Sequence, residues 1–256
     1  MKTTNNTVLI TGGATGIGLE LAKAFILQGN KVIVCGRRQE KLNAAKQTVP
    51  DLIIQQCDLS MQEQRRELYQ FCIKNYPGIN VLINNAGMQR EIDFRKGEQH
   101  YLEGDSEVAI NLEACFHLTA LFTPHFMKQS EAAIINVTSG LGITPLVITP
   151  VYSATKAALH SFSISLRKQL AATPVKVFEI IPPIVGTDLD RGARDKRGQA
   201  NKGIRPEQVA KESMDALAKD QWEIPIGIVK ALRIGSRISP SFFLKVINKK
   251  TSDIYQ

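Results

Sequence analysis

Cysteine is scarce, and its spacing excludes a paired pattern. Cys35, Cys57, Cys72 and Cys115 are scattered and form no CxxC pair. Such cysteines read as reduced core or near-core thiols, and imply a reducing, cytoplasmic compartment. Long apolar runs are also missing. Those present are too short or too interrupted to span a bilayer, so no stable membrane insertion is expected. No signal peptide is expected ahead of Val8, because the first strand begins almost at once. The histidines, His100, His117, His125 and His160, lack metal-ligand spacing and read as structural or surface residues, so no metal is expected. Bases exceed acids, 32 against 24, giving a net charge of +8 and a pI near 9.3. They are not gathered in one arm and do not interleave with aromatics, which argues against nucleic acid. The excess suits an enzyme that binds phosphates. No internal repeat and no long linker divides the 256 residues, a length that suits one well-cored α/β domain over 1–256.

Short apolar runs and helical patterns alternate along the chain. Strands are expected at Val8–Ile10, Lys31–Cys35, Leu52–Ile54, Val81–Ile83, Ile134–Val137 and Val175–Ile181. Helices are expected from Leu19 to Ile26, from Gln39 to Gln47, from a Ser60 cap to Asn75, from Ser106 to Met127 and from Tyr152 to Leu170. Strands that read as continuous apolar runs between helices predict a doubly wound parallel sheet, Rossmann-like, with helices on both faces.

The first strand runs into Thr11-Gly12-Gly13-Ala14-Thr15-Gly16-Ile17-Gly18 and then a helix. A glycine-rich turn between a strand and a helix is the setting of a dinucleotide site. No side chains block a pyrophosphate there, and the helix N-terminus attracts its charge. Gly12, Ala14, Thr15, Gly16, Ile17 and Gly18 are therefore candidate cofactor contacts. A plain turn that needs left-handed residues is the other reading of the same glycines. The second strand ends Val34-Cys35-Gly36-Arg37-Arg38. An NAD site usually offers a carboxylate here to the ribose hydroxyls. This chain has Gly36 and then two arginines, whose planar forks suit a 2′-phosphate. NADP(H) is thus the expected cofactor, with NAD(H) second. Two solvated arginines are the alternative, although helix starts disfavour cations.

Tyr152 and Lys156 sit four residues apart and share one helix face. A phenol titrates near ~10, too high for acid–base work at neutral pH, and a neighbouring ammonium favours the phenolate. Ser139 lies between the glycine turn and this pair. Each residue alone has an ordinary role: a helix tyrosine, a turn serine, a solvated lysine, a buried amide at Asn111. Their order together with the glycine turn gives the set its weight.

At this point the chain resembles the short-chain dehydrogenase/reductase family. The matching stretches are TGGATGIG (11–18), CDLS (57–60), NNAG (84–87), Asn111 in AINLEA, NVTSG (136–140), YSATK (152–156) and PPIVGT (182–187). More narrowly, NNTVLITGGATGIGLELAKAF and the block around PVYSATKAALHSFSISLRKQL are similar to the bacterial DltE-type subgroup, linked by name to D-alanylation of teichoic acids. The resemblance implies that Tyr152 moves the proton to or from the substrate oxygen, and that Ser139 hydrogen-bonds that oxygen. It implies that Lys156 binds the nicotinamide ribose and lowers the Tyr152 pKa, and that Asn111 holds a proton-relay water. Asp58 would meet the adenine amino group, with the Leu59 backbone beside it. Asn85, Ala86 and Gly87 would line the adenosine ribose, and Ile184 and Thr187 would bind the carboxamide. Pro183 departs from the family's usual glycine; it stiffens the turn and removes one donor.

The implied activity is hydride transfer between NADP(H) and a small carbonyl or alcohol. The alternative is a silent dinucleotide-binding sensor or scaffold. The family usually packs as homodimers or homotetramers through the helices around 106–127 and 152–170. A polar segment at about 187–203 is expected to cover the substrate; its Arg191, Arg194 and Arg197 belong to a solvated lid on the favoured reading, and draw in an anionic substrate on the other. The C-terminal segment at about 227–256 alternates apolar and basic residues. It is expected to pack on a neighbouring subunit or cap the cleft. A membrane-surface role is weaker, because Pro240 and short runs break an amphipathic helix.

Overall fold

The computed structural model describes residues 1–189, 203–249 and 251. Strands β1 (Thr7–Thr11), β2 (Lys31–Gly36), β3 (Ile53–Gln56), β4 (Ile79–Asn84), β5 (Ala132–Val137), β6 (Val175–Ile181) and β7 (Glu223–Pro225) form one sheet. Their order is β3-β2-β1-β4-β5-β6-β7, and every neighbouring pair is parallel. Helices α1 (Gly16–Leu27), α2 (Gln39–Thr48), α3 (Gln62–Asn75), α4 (Glu98–Leu102), α5 (Ala114–Phe126) and α6 (Pro150–Gln169) are followed by α7 (Pro206–Ala218), α8 (Val229–Ile238) and α9 (Pro240–Asn248). The strand order reverses direction between β1 and β4, which opens a crevice at the carboxyl ends of those strands.

The strands are apolar on both sides because both faces are covered. In β1, Val8 and Ile10 join Leu21, Phe25, Val34 and Leu217 in one core layer. Leu9 points the other way and meets Leu68, Leu82, Phe122 and Phe126. The period-two alternation of side chains therefore feeds two cores from one strand. All four cysteines are free and buried. Desolvation pushes the Cys57 and Cys72 thiols up to about 12.

Several details differ from the sequence-based expectations. Ser60 does not cap α3: the helix begins after Met61, and the Ser60 hydroxyl donates to Asp58 Oδ1 at 2.7 Å. The helical stretch expected from Ser106 to Met127 contains a π turn at Ala109–Glu113, in which the Ala114 amide donates to Ala109 O. Hydrophobic spacing does not report one inserted residue, so the turn was invisible in sequence. Pro240 divides the tail as expected: α8 ends at Ile238, Ser239 leaves the helical conformation, and α9 starts at Pro240. It occupies the first turn of α9, where a missing amide costs nothing, and Gly235 lets the Phe243 ring lie against α8. No helix among the described residues is long and apolar enough to cross a membrane.

Phe122 is fully buried, with its ring centroid 5.0 Å from Tyr69 and 5.5 Å from Phe126. Phe122→Ala should destabilise the protein by about 3–5 kcal/mol in a denaturant titration. A loss below 1 kcal/mol, on the same scale, would show that this core layer collapses around the gap.

Candidate active site

The residues singled out in sequence gather along the carboxyl ends of the strands. Gly12 to Gly18 follow β1, Arg37 and Arg38 follow β2, and Asp58 and Leu59 follow β3. Asn85 to Gly87 follow β4, Ser139 follows β5, and Ile184 and Thr187 follow β6. Asn111 lies in the π turn, and Tyr152 and Lys156 lie in the first turns of α6.

The glycine turn is held against β4 by polar bonds. Thr11 Oγ1 accepts from the amides of Asn85 and Ala86 at 3.0 Å each, and Asn85 Nδ2 donates to Thr11 O at 2.9 Å. Gly12 (φ +63°) and Gly16 (φ +56°) adopt the left-handed region. A Cβ on Gly12 would lie 2.9 Å from Ala86 Cα, and one on Gly16 would lie 2.8 Å from Thr187 Cγ2. Gly13, not singled out in sequence, is equally constrained: its Cβ would lie 2.5 Å from Val34 Cγ1. Thr15 occupies the N-cap of α1, but its side chain makes no capping bond. The turn thus brings uncapped helix amides to a surface bare of side chains, and this fits a pyrophosphate.

At the other end of the crevice, Arg37 Nη1 donates to Asp105 Oδ2 at 2.8 Å and lies 4.0 Å from Asp58 Oδ2. The bond to Asp105 raises the Arg37 pKa. Asp58 Oδ1 is engaged by the amide and hydroxyl of Ser60. A Cβ on Gly36 would meet nothing within 4 Å, so the space beside the guanidinium is open. Asp105 was not found by sequence reasoning, because its partner is 68 residues away and no motif carries it.

The cluster of Asn111, Ser139, Tyr152 and Lys156 is buried and polar. Lys156 Nζ donates to Val137 O at 2.8 Å and lies 5.7 Å from the Tyr152 ring centroid. Desolvation pushes the Lys156 ammonium down, and the Cys115 thiol opposes that shift. Ser139 Oγ accepts from the Leu141 amide at 3.1 Å. Asn111 is fully buried: Oδ1 accepts from Met88 N at 2.8 Å, while Nδ2 donates to Met88 O at 2.9 Å and to Thr155 Oγ1 at 3.2 Å. A Cβ on Gly87 would lie 3.4 Å from Asn111 Oδ1 and 3.6 Å from Lys156 Nζ, so Gly87 keeps the space between them open. Gly142 presses on the Lys156 carbonyl, which a Cβ there would approach to 2.9 Å; this contact was also missed in sequence. Ile184 is exposed, and Arg191, Arg194 and Arg197 lie outside the described residues. No group of three His, Cys, Asp or Glu side chains suited to a metal occurs among the described residues.

The family model for short chain dehydrogenases matches residues 6–198. The chain is 52% identical over 238 residues to the uncharacterized oxidoreductase DltE of Bacillus subtilis, covering 93% of this chain and 94% of that protein. A serine dehydrogenase solved with NADP+ superposes with a TM-score of 0.75 at 29% identity, over 86% of this chain and 93% of that one. A short chain dehydrogenase/reductase from Burkholderia phymatum, solved with NAD, superposes with a TM-score of 0.82 at 19% identity, over 91% and 93% of the two chains. The chain belongs to the short chain dehydrogenase family and is an oxidoreductase of that family.

A Cβ on Gly18 would lie 2.5 Å from both Asn85 Nδ2 and Gly12 O. Gly18→Ala should therefore displace the Asn85 amide and destabilise the ligand-free protein by about 1–3 kcal/mol. An unchanged melting temperature would mean that the turn yields without cost.

Proposed function

We propose that the chain is an NADP(H)-dependent carbonyl reductase or alcohol dehydrogenase in which Tyr152 is the general acid and base. The observation that carries this reading is the buried cluster in which Lys156 Nζ lies 5.7 Å from the Tyr152 ring, with Ser139 just after β5 and Asn111 in the π turn bonded to Thr155 of the same helix α6. When bound, the nicotinamide supplies or accepts the hydride. Tyr152 gives its proton to the substrate oxygen in reduction and takes it back in oxidation. Ser139 donates to the same oxygen and holds it in place. Lys156 brings positive charge to the phenol and to the nicotinamide ribose. A water in the space that Gly87 leaves open connects Lys156 Nζ to Asn111 Oδ1 and replaces the proton. Ala86 and Gly87 line the adenosine ribose, and Asn85 supports them from the glycine turn. Ile184 and Thr187 meet the carboxamide.

The preference for NADP(H) rests on Gly36 and Arg37. Position 36 carries no carboxylate that would repel a 2′-phosphate and leaves open space, and a 2′-phosphate would take Arg37 from its present partner Asp105. Arg38 supplies a second cation. The serine dehydrogenase at 29% identity is complexed with NADP+, which is in keeping with this choice. The substrate is a small carbonyl or alcohol, and the setting is cytoplasmic. The partner is a second copy of the chain, in a homodimer or homotetramer through α5 and α6, where Phe116 and Ile164 are exposed.

NADPH consumption across a panel of carbonyl compounds is the direct experiment. Tight NADPH binding with no turnover on any of them would favour the sensor reading. Tyr152→Phe should abolish turnover and leave NADPH binding intact; retention of most of kcat would remove Tyr152 from the mechanism. Arg37→Ala should weaken NADPH binding by about 1.5–3 kcal/mol, the range of a charge-assisted hydrogen bond, and leave NADH unchanged. Equal loss for both cofactors would make Arg37 structural, and a wild type that prefers NADH would overturn the cofactor assignment.

A further inference from the structure

Glu179 is a carboxylate in the middle of β6, flanked by Phe178 and Ile180, and its side chain is fully buried. Such burial is costly unless the charge is paired and hydrogen-bonded. Here both oxygens have partners. Oε1 accepts from Thr138 Oγ1 at 2.6 Å and lies 3.0 Å from His160 Nδ1, and Oε2 lies 2.8 Å from the same nitrogen. Neither partner is remote from the reactive cluster. Thr138 immediately precedes Ser139, and His160 is one helical turn beyond Lys156 on α6.

We propose that Thr138, Glu179 and His160 form a positioning bridge that fixes the strand end bearing Ser139 against the helix bearing Tyr152 and Lys156. The proposal rests on the active-site reading above and deepens it. The backbone at Ser139 is already tied to β6 on both sides, by Thr138 N to Ile180 O at 2.9 Å and by Gly140 N to Pro182 O at 3.0 Å. Those bonds set β5 against β6, while α6 is tied to the sheet farther along by Asn136 Nδ2 to Ser163 Oγ and by Arg167 Nε to Val177 O, both at 2.9 Å. Lys156 Nζ to Val137 O is one tie from α6 to β5. In the proposed cycle that ammonium also serves the ribose, so it is a poor anchor. The Glu179 bridge joins the same elements through groups that touch neither cofactor nor substrate.

The groups facing His160 come from three elements. Glu179 is on β6, Glu223 is on β7 and Arg233 is on α8. Arg233 pairs with Glu223, which also lies 3.6 Å from Arg167 Nη1 on α6. The hydrogen bond to Glu179 raises the His160 pKa against the opposing effect of burial. The bridge is therefore a neutral ion pair below that raised value. It loses its counter-charge as pH rises through it.

The test measures steady-state NADPH oxidation on an accepted carbonyl, together with thermal melts and histidine NMR. Thr138→Val and Glu179→Gln should lower kcat about ten- to a hundredfold, the scale of a small misplacement of reacting groups, with the KM for NADPH unchanged. Thr138→Ser keeps the hydroxyl and should restore the rate. His160→Gln should remove from the kcat–pH profile an inflection above the ordinary imidazole value. In NMR, the His160 ring should titrate above a free imidazole in the wild type and drop in Glu179→Gln. That last readout needs no turnover. Full kcat in folded Thr138→Val and Glu179→Gln, an unchanged pH profile in His160→Gln, or an unshifted His160 titration would each overturn the bridge. A fall in kcat matched by equal losses in melting temperature and NADPH affinity would reduce it to ordinary packing. Ser139→Ala separates the two readings. Turnover that survives it overturns the active site, whereas turnover lost there but kept in Thr138→Val overturns the bridge alone.

Discussion

The close approach of the β1–α1 turn to the end of β4 is the constraint on which the site depends. The strand order reverses at that seam, so no helix covers it from above. The chain closes it instead with small groups and short polar bonds. Thr11 Oγ1 holds two amides of the β4 loop, and Asn85 reaches back to the carbonyls of Thr11 and Gly12. A side chain at Gly12 would collide with the Ala86 backbone across the seam, and one at Gly18 with the Asn85 side chain across it and with Gly12 O of its own turn. The glycines are thus needed twice: by the protein, to close two loops on each other, and by an anion, to reach the helix amides. This double demand explains why a turn with several glycines tolerates their conformational cost.

Polar burial extends the same logic along the strand edge. Asn84 donates to Asn136, and Asn136 donates to Ser163 on α6, all of them buried. Asn111 and Lys156 add further buried polar groups next to Ser139. Asn84 Oδ1 itself has no hydrogen-bond partner among the described residues, and such a gap in a low-dielectric interior is costly, so it is the paired groups that favour one geometry. The polar groups therefore hold the strand ends in register where the apolar core gives way to the crevice.

Much of this was legible in the sequence, for identifiable reasons. The parallel sheet shows in the alternation of apolar runs and helical patterns, because strands covered on both faces must be apolar throughout. The glycine turn shows because close backbone approach restricts the residue type. Tyr152 and Lys156 show because helical spacing is fixed. What sequence reading lacked were contacts between distant residues. Asp105 on Arg37 and Glu179 on His160 join elements with no shared motif. The π turn at Asn111 was hidden because apolar spacing around it still reads as helix. Pro240 was legible as a break, because the residue before a proline avoids the helical region, and Ser239 does so between α8 and α9.

The tail completes the geometry of the site. Asn248 on α9 accepts from Val147 N at 2.8 Å and donates to Pro145 O at 3.0 Å, so it grips the segment that joins Ser139 to Tyr152. On the same side, Val229 at the start of α8 lies against Gly140, where a Cβ would come within 3.1 Å of its Cγ2. The two C-terminal helices therefore set the position of the Ser139 turn from outside, as the buried polar groups set it from within. Their outer faces carry Ile234, Ile238, Phe242 and Val246 exposed to solvent. Residues that face outward on an element gripping the Ser139 turn make no contact with the strand edge, which the inner faces of α8 and α9 alone reach.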